Sequence, residues 1–121
     1  MKLKLTIEVI PKPLWSKHLR ANLDPDEWDN LRKICFAKAR HICEICGGVG
    51  THHPLECHEI WQYDDKKHVQ MLTGLMALCP ACHEVKHYGR ARAIGRKEEA
   101  ERHFMKNNGC TPQQMRRYMK K

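Results

Sequence analysis

A small α+β fold is predicted by three features of the 121-residue chain: a strand-like stretch from Leu55 to Tyr63, capped helical segments on either side of it, and two C-x-x-C pairs that bracket it. At this length one domain is expected, with room for a small appendage. A hydrophobic content of 41% supports a modest core, and seven cysteines offer a means to supplement it.

The elements follow in chain order. Leu3, Leu5, Ile7 and Val9 alternate with Lys2, Lys4, Thr6 and Glu8, which predicts a half-buried strand over residues 2–10. Pro11 and Pro13 end it, so residues 1–23 read as a strand followed by a proline-containing linker. A helix is predicted around Pro25 to His41, with Trp28, Leu31, Cys35 and Ile42 near one face. Asp24 suits its N-cap, Pro25 its first position, and Glu27 completes a capping-box pattern. Gly47-Gly48-Val49-Gly50 is a turn-rich break, Asp64-Asp65-Lys66-Lys67 a polar turn, and Val69 to Leu78 a largely apolar run. A helix is expected from the second cysteine pair through Val85 to about Arg90, with Gly89 kinking or ending it. Another covers roughly Ala91 to Lys106, followed by an Asn107-Asn108-Gly109 turn. Thr111-Pro112-Gln113-Gln114 starts a last helix, with Thr111 as cap and Gln114 reaching back. Residues 24–90 thus form the central domain and 91–121 a basic helical extension.

Cys43-Glu44-Ile45-Cys46 and Cys79-Pro80-Ala81-Cys82 share one spacing. Two thiolates three positions apart sit on one tight turn and hold two corners of a tetrahedron. Two such knuckles make a closed, all-thiolate zinc site, and structural zinc adds stability that a small core lacks. Seven cysteines in a secreted chain would suggest disulfides. Here Met1-Lys2-Leu3-Lys4-Leu5 lacks the apolar block of a secretory signal, and no run is long and apolar enough to span a membrane. Metal in a reducing cytoplasm is therefore the expectation, with no membrane partner. Cys35, Cys57 and Cys110 are left over and read as small buried apolar residues.

Charge is unevenly placed. From His83 onward, 11 of the 22 Lys and Arg residues meet 4 of the 14 acidic ones, so +7 of the net +8 lies in the last third. A localised positive surface attracts polyanions, which points to nucleic acid as a partner. Arg90, Arg92, Arg96, Lys97 and Arg102 are the candidates for tracking a phosphate backbone.

Histidines supply the chemistry. His83 and His87 are four apart and share a helical face, so both imidazoles can reach one ion. His58 lies on a separate segment and offers a third ligand. Three imidazoles leave positions open for water or a phosphate oxygen, the layout a hydrolytic metal centre needs. Trp61 and Tyr63 follow at alternating spacing, either to stack on a base or to pack under the strand.

The order Cys43-x-x-Cys46, Leu55-Glu56-Cys57-His58-Glu59-Ile60, Leu78-Cys79-x-x-Cys82-His83-x-x-x-His87 resembles the HNH endonucleases, over about residues 28–90. The resemblance implies a ββα-metal (His-Me finger) fold, in which a β-hairpin and a helix grip one divalent ion at the scissile DNA phosphate. It implies structural zinc on the four cysteines and a second divalent ion, such as Mg, Mn, Ni or Zn, on His58, His83 and His87. The family carries a metal ligand and then a histidine base on the hairpin, and an asparagine that orients that base. One register puts His58 at the ligand position and Glu59 at the base position. A shift of one residue makes Cys57 the ligand and His58 the base. The asparagine position falls on Gly74, which has no side chain to orient anything, and a carboxylate is a weaker base than imidazole. A zinc module that binds nucleic acid without cutting it is the competing expectation, and a zinc-stabilised protein-interaction domain the third.

Overall fold

The computed structural model describes residues 3–8, 23–48, 54–64, 66–67 and 69–120. Among them it is a mixed α+β structure with five helices and one two-stranded antiparallel sheet. The elements are α1 (Pro25–Lys38), β1 (Glu56–Asp64), β2 (Val69–Leu78), α2 (Pro80–Lys86), α3 (Tyr88–Ala93), α4 (Lys97–Asn108) and α5 (Pro112–Met119). Two compact units divide the described residues: those within Ile10–Cys79, and those within Met1–Val9 together with Pro80–Lys121.

In the unit within Ile10–Cys79, α1 starts with the predicted N-cap and first-turn proline. The Asp24 carboxylate accepts from the backbone N–H groups of Asp26 and Glu27, and Pro25 takes a first-turn position that needs no donor. The helix stops at Lys38, short of the expected His41. Arg40 and His41 adopt φ of 57° and 58°, the left-handed region that ends helices. That turn delivers the chain to Cys43. α1 packs on the hairpin of β1 and β2, and Cys35, Ile45, Leu55, Ala77 and Leu78 are buried.

The hairpin pairs Glu56 with Leu78 and His58 with Met76, and slips once between Ile60 and Trp61. Ile60 faces Gly74 while Trp61 faces Leu72, so Thr73 is the extra residue of a β-bulge. Its hydroxyl donates to the Ile60 carbonyl at 3.1 Å, which secures the irregularity. At the connecting turn, the Asp64 carboxylate accepts from the N–H groups of Lys66 and Lys67. Asp65 lies outside the described residues.

In the other unit, α2 and α3 are separate helices that break at His87, not at Gly89. Gly95, at φ +80°, separates α3 from α4, so the predicted helix over residues 91–106 is instead two. α4 runs on through Asn107 and Asn108 of the predicted turn and closes at Gly109 (φ 59°), the last residue of that turn. The Thr111 capping box forms as read: its hydroxyl accepts from Gln114 N and the Gln114 side-chain Oε1 accepts from Thr111 N. α4 packs against α2, α3 and α5 around Val85, Ala91, Ala100, Phe104 and Met115. Tyr118 stacks on Phe104 with ring centroids 5.3 Å apart.

The predicted N-terminal strand is corrected. Residues 3–8 are not in a sheet. Their backbone groups find partners on helices instead. Lys4 N and Leu5 N both donate to Asn108 Oδ1 at 2.8 Å, and Asn108 Nδ2 donates back to the Leu5 carbonyl. Ile7 N donates to the Tyr118 hydroxyl and Glu8 N to the Lys86 carbonyl. Alternation predicted which side is buried, and Leu5 is fully enclosed. It could not say whether a strand or side chains would satisfy the backbone. Lys86 is itself buried, and it spends its charge locally: Nζ donates to Thr6 Oγ1 at 2.8 Å and lies 3.7 Å from Glu8 Oε1. Pro11, Pro13 and most of the predicted linker lie outside the described residues.

Candidate metal centres

The first knuckle is built by backbone geometry. Cys43 N donates to the Gly48 carbonyl at 2.8 Å and Gly47 N to the Cys43 carbonyl at 3.0 Å. Gly47 at φ +77° makes the turn possible, since a side chain there would be strained. The turn aims amide hydrogens at sulfur: Cys46 N at Cys43 Sγ (3.5 Å) and Gly48 N at Cys46 Sγ (3.4 Å). Burial pushes the Cys43 thiol up, but the amides of Cys46, Cys79 and Ile45 outweigh it and bring it down to about 7. The thiolate, the form that binds metal, is thereby favoured.

Glu44, inside the knuckle, clamps it to β2. Its N–H donates to the Ala77 carbonyl at 2.9 Å, and Oε2 accepts from Ala77 N at 2.6 Å. Ala77 is fully buried, so this acceptor satisfies an amide that water cannot reach. Glu44→Ala is expected to cost about 1–3 kcal/mol in denaturant unfolding, the penalty of an unsatisfied buried donor, while Glu44→Gln retains most of the stability. Cys79 directly follows β2, and Pro80 opens α2 at a position that needs no donor, which carries the chain to Cys82.

The sulfur atoms of Cys43, Cys46, Cys79 and Cys82 all lie within 4.8 Å of one another. A zinc–sulfur bond of ~2.3 Å in a tetrahedron sets neighbouring sulfurs about 3.8 Å apart. Cys46 Sγ and Cys79 Sγ are 3.6 Å apart, close to that edge. Four soft thiol donors at this spacing fit zinc, and the predicted ligand set is brought together complete.

A second group consists of His58, His83 and His87, whose ring nitrogens likewise fall within 4.8 Å of one another. His83 Nε2 and His87 Nε2 are 3.2 Å apart, with the rings edge to face. A zinc–nitrogen bond of ~2.0–2.1 Å places two imidazole nitrogens about 3.3 Å apart across one ion, so the pair fits a shared metal. His58 is 2% exposed, the most buried histidine of the three. No family model matches the chain, and neither a curated protein nor a solved structure is significantly similar to it.

The other motif residues are placed differently. Successive residues of a strand face opposite ways, so Cys57 and Glu59 turn to the face away from His58. There Cys57 meets Cys35 of α1, and burial together with that neighbour pushes its thiol up to about 12. Glu59 Oε1 accepts from the Trp61 indole N–H at 3.1 Å. Neither Cys57 nor Glu59 is in the imidazole group. Gly74 pairs with Ile60 in β2, and a Cβ there would meet only Ile60 Cδ1 at 3.8 Å. The leftover Cys35 is buried as expected, while Cys57 and Cys110 are half-buried.

The basic residues differ in availability. Arg90 and Lys97 are exposed. Arg92 lies over the Tyr88 ring, 5.9 Å from its centroid, and Arg102 Nη2 is 3.9 Å from Glu99 Oε1. Arg96 is held by Glu84 through two bonds of 2.7 and 3.3 Å, a forked pair that occupies its donors.

Sequence reading missed two residues beside the cysteine group. His103 on α4 places Nε2 3.1 Å from Cys82 Sγ, and Asn107 lies one turn along the same helix face. Burial, with Lys106 adding to it, holds the His103 imidazole below its ordinary pKa, so it stays neutral. No motif spacing links residue 103 to a C-x-x-C pair. Only the packing of α4 on α2 makes them neighbours.

Proposed function

We infer that this protein is an HNH-like, metal-dependent endonuclease acting on DNA phosphodiester bonds, stabilised by one structural zinc. The observation that carries the reading is the convergence of His58, His83 and His87 in a chain that also gathers four cysteines. Cys43, Cys46, Cys79 and Cys82 would hold the zinc, and the three imidazoles a second divalent ion. When bound, that ion supplies charge neutralisation at a phosphate and lowers the pKa of a water molecule. The chain contributes the rest. Three imidazole nitrogens leave coordination positions for substrate. The buried position of His58 fixes its ring, and Arg90, Arg92, Lys97 and Arg102 supply cations for neighbouring phosphates.

The test is nicking of supercoiled plasmid by metal-stripped protein after addition of Mg, Mn, Ni or Zn. Nicking that depends on the added ion supports the reading, and its absence with all four ions overturns it. Duplex binding has its own signature. With about four phosphate contacts, raising salt from about 50 to about 200 mM is expected to weaken binding roughly 100-fold, measured by fluorescence anisotropy. Binding that ignores salt would count against the basic helices as the contact surface.

A second reading, a nucleic-acid-binding zinc module without cleavage, is favoured by two residues. Glu59 is engaged by Trp61, and Gly74 offers no group to orient a base. It expects the same salt dependence and no nicking.

A further inference from the structure

We propose that His103 is the outer hydrogen-bond donor of the cysteine metal centre, and that through it metal occupancy is coupled to helix α4. This rests on the reading of Cys43, Cys46, Cys79 and Cys82 as one metal cage. His103 Nε2 lies 3.1 Å from Cys82 Sγ, within hydrogen-bond reach. It is not one of the four donors that converge, so it touches a ligand without being one. Cys82 has no exposed surface, so water cannot supply that bond.

The direction of the bond follows from the ligand. A metal-bound Cys82 is a thiolate and can only accept. His103 must then carry its hydrogen on Nε2 and donate it. Such donors withdraw charge from sulfur and orient the ligand, and losing one typically costs 10–100-fold in metal affinity. Asn107 Nδ2 lies 3.1 Å from the same His103 Nε2; an amide nitrogen only donates, so that contact holds while Nε2 is bare and is given up when Nε2–H turns to a metal-bound Cys82. The same amide donates to the His103 carbonyl at 2.9 Å, which ties it to the helix backbone beside the imidazole. His103 sits in the middle of α4, one position before the fully buried Phe104. A bond from this residue to the cage therefore fixes α4, on which Lys97 and Arg102 ride, to the metal-bound state.

The experiment uses the full chain and two variants. His103→Phe keeps a ring of similar size without a donor. His103→Gln restores an N–H near the position of Nε2. Zinc affinity is read by competition with a chromophoric chelator, and cobalt(II) replaces zinc to report on sulfur through its thiolate-to-metal charge-transfer band. His103→Phe is expected to weaken zinc binding by about 10–100-fold and to shift the cobalt band, with His103→Gln recovering most of both. Amide hydrogen exchange across α4 is expected to speed up when zinc is removed from the wild-type protein, and to respond much less in His103→Phe. An unchanged band and affinity in His103→Phe would overturn the proposal. So would loss of affinity in both variants with no band shift, which marks a packing effect alone. If the wild-type protein binds neither zinc nor cobalt, the cage reading itself fails, and this inference with it.

Discussion

Cys79→Ser is expected to abolish stoichiometric zinc binding and, with it, the cooperative unfolding transition. Cys79 directly follows β2 and its sulfur stands 3.6 Å from that of Cys46 across the cage, so its loss breaks the link between the two knuckles. The size of the effect follows from comparing two energies. Structural zinc contributes an apparent ~10–16 kcal/mol in small zinc-dependent folds, and a whole domain is stable by only about 5–15 kcal/mol. A chain of 121 residues that gathers four thiols in its core has little else to replace that contribution. Elemental analysis should give one zinc fewer per chain than the wild type, and thermal unfolding followed by circular dichroism should lose its sharp transition. Excess chelator should do the same to the wild-type protein. A Cys79→Ser protein that retained its zinc and melted within a few degrees of the wild type would show the four sulfurs to be a coincidence of packing.

The second large effect concerns His83. His83→Ala is expected to lower metal-dependent plasmid nicking by more than about 100-fold, beyond the 10–100-fold typical of losing an outer-shell partner. His83 is half-buried on α2 and faces His87 Nε2 at 3.2 Å. Removing it leaves an ion with two imidazoles and a gap that water fills. The structural zinc should remain, so the melting temperature serves as the control. Cys57→Ala provides a second control. It lies on the opposite strand face, against Cys35, and should leave nicking within about twofold, because no interaction with the imidazole group is removed. Strong loss of nicking in Cys57→Ala alone would instead restore the register in which Cys57 is the ligand.

The cysteine cage was legible because the C-x-x-C spacing makes each pair a two-donor unit, and two such units together supply the four thiolates that one zinc takes. Two residues three apart on a tight turn share a ligand direction whatever surrounds them, and Cys43, Cys46, Cys79 and Cys82 converge as that geometry requires. The helix caps were legible for the same reason, since Asp24 and Thr111 act within three residues of themselves. The His83–His87 pair followed from helical periodicity, and His58 from its place in a motif. What sequence could not supply was anything set by distant contact. Arg96 reads as a free cation in the sequence and is forked onto Glu84, twelve residues away. His103 carries no motif, and its neighbour Cys82 is 21 positions upstream. The N-terminal alternation looked like a strand because burial has the same two-residue period whether the backbone pairs with another strand or with side chains. The break at His87 was missed because Gly89 is the more conspicuous residue, yet it sits within α3.

The attachment of residues 3–8 has a consequence for biosynthesis. Their partners are Lys86, Asn108 and Tyr118, the farthest of them up to 111 positions downstream. Synthesis adds ~5–20 residues per second, so residues 3–8 are made well before anything exists for them to dock on. Leu5, wholly enclosed in the finished molecule, must wait as a solvent-exposed leucine until Asn108 and Tyr118 have been made. Closure of that unit therefore comes late, whereas β1 and β2, adjacent along the chain, can zip together soon after they are made.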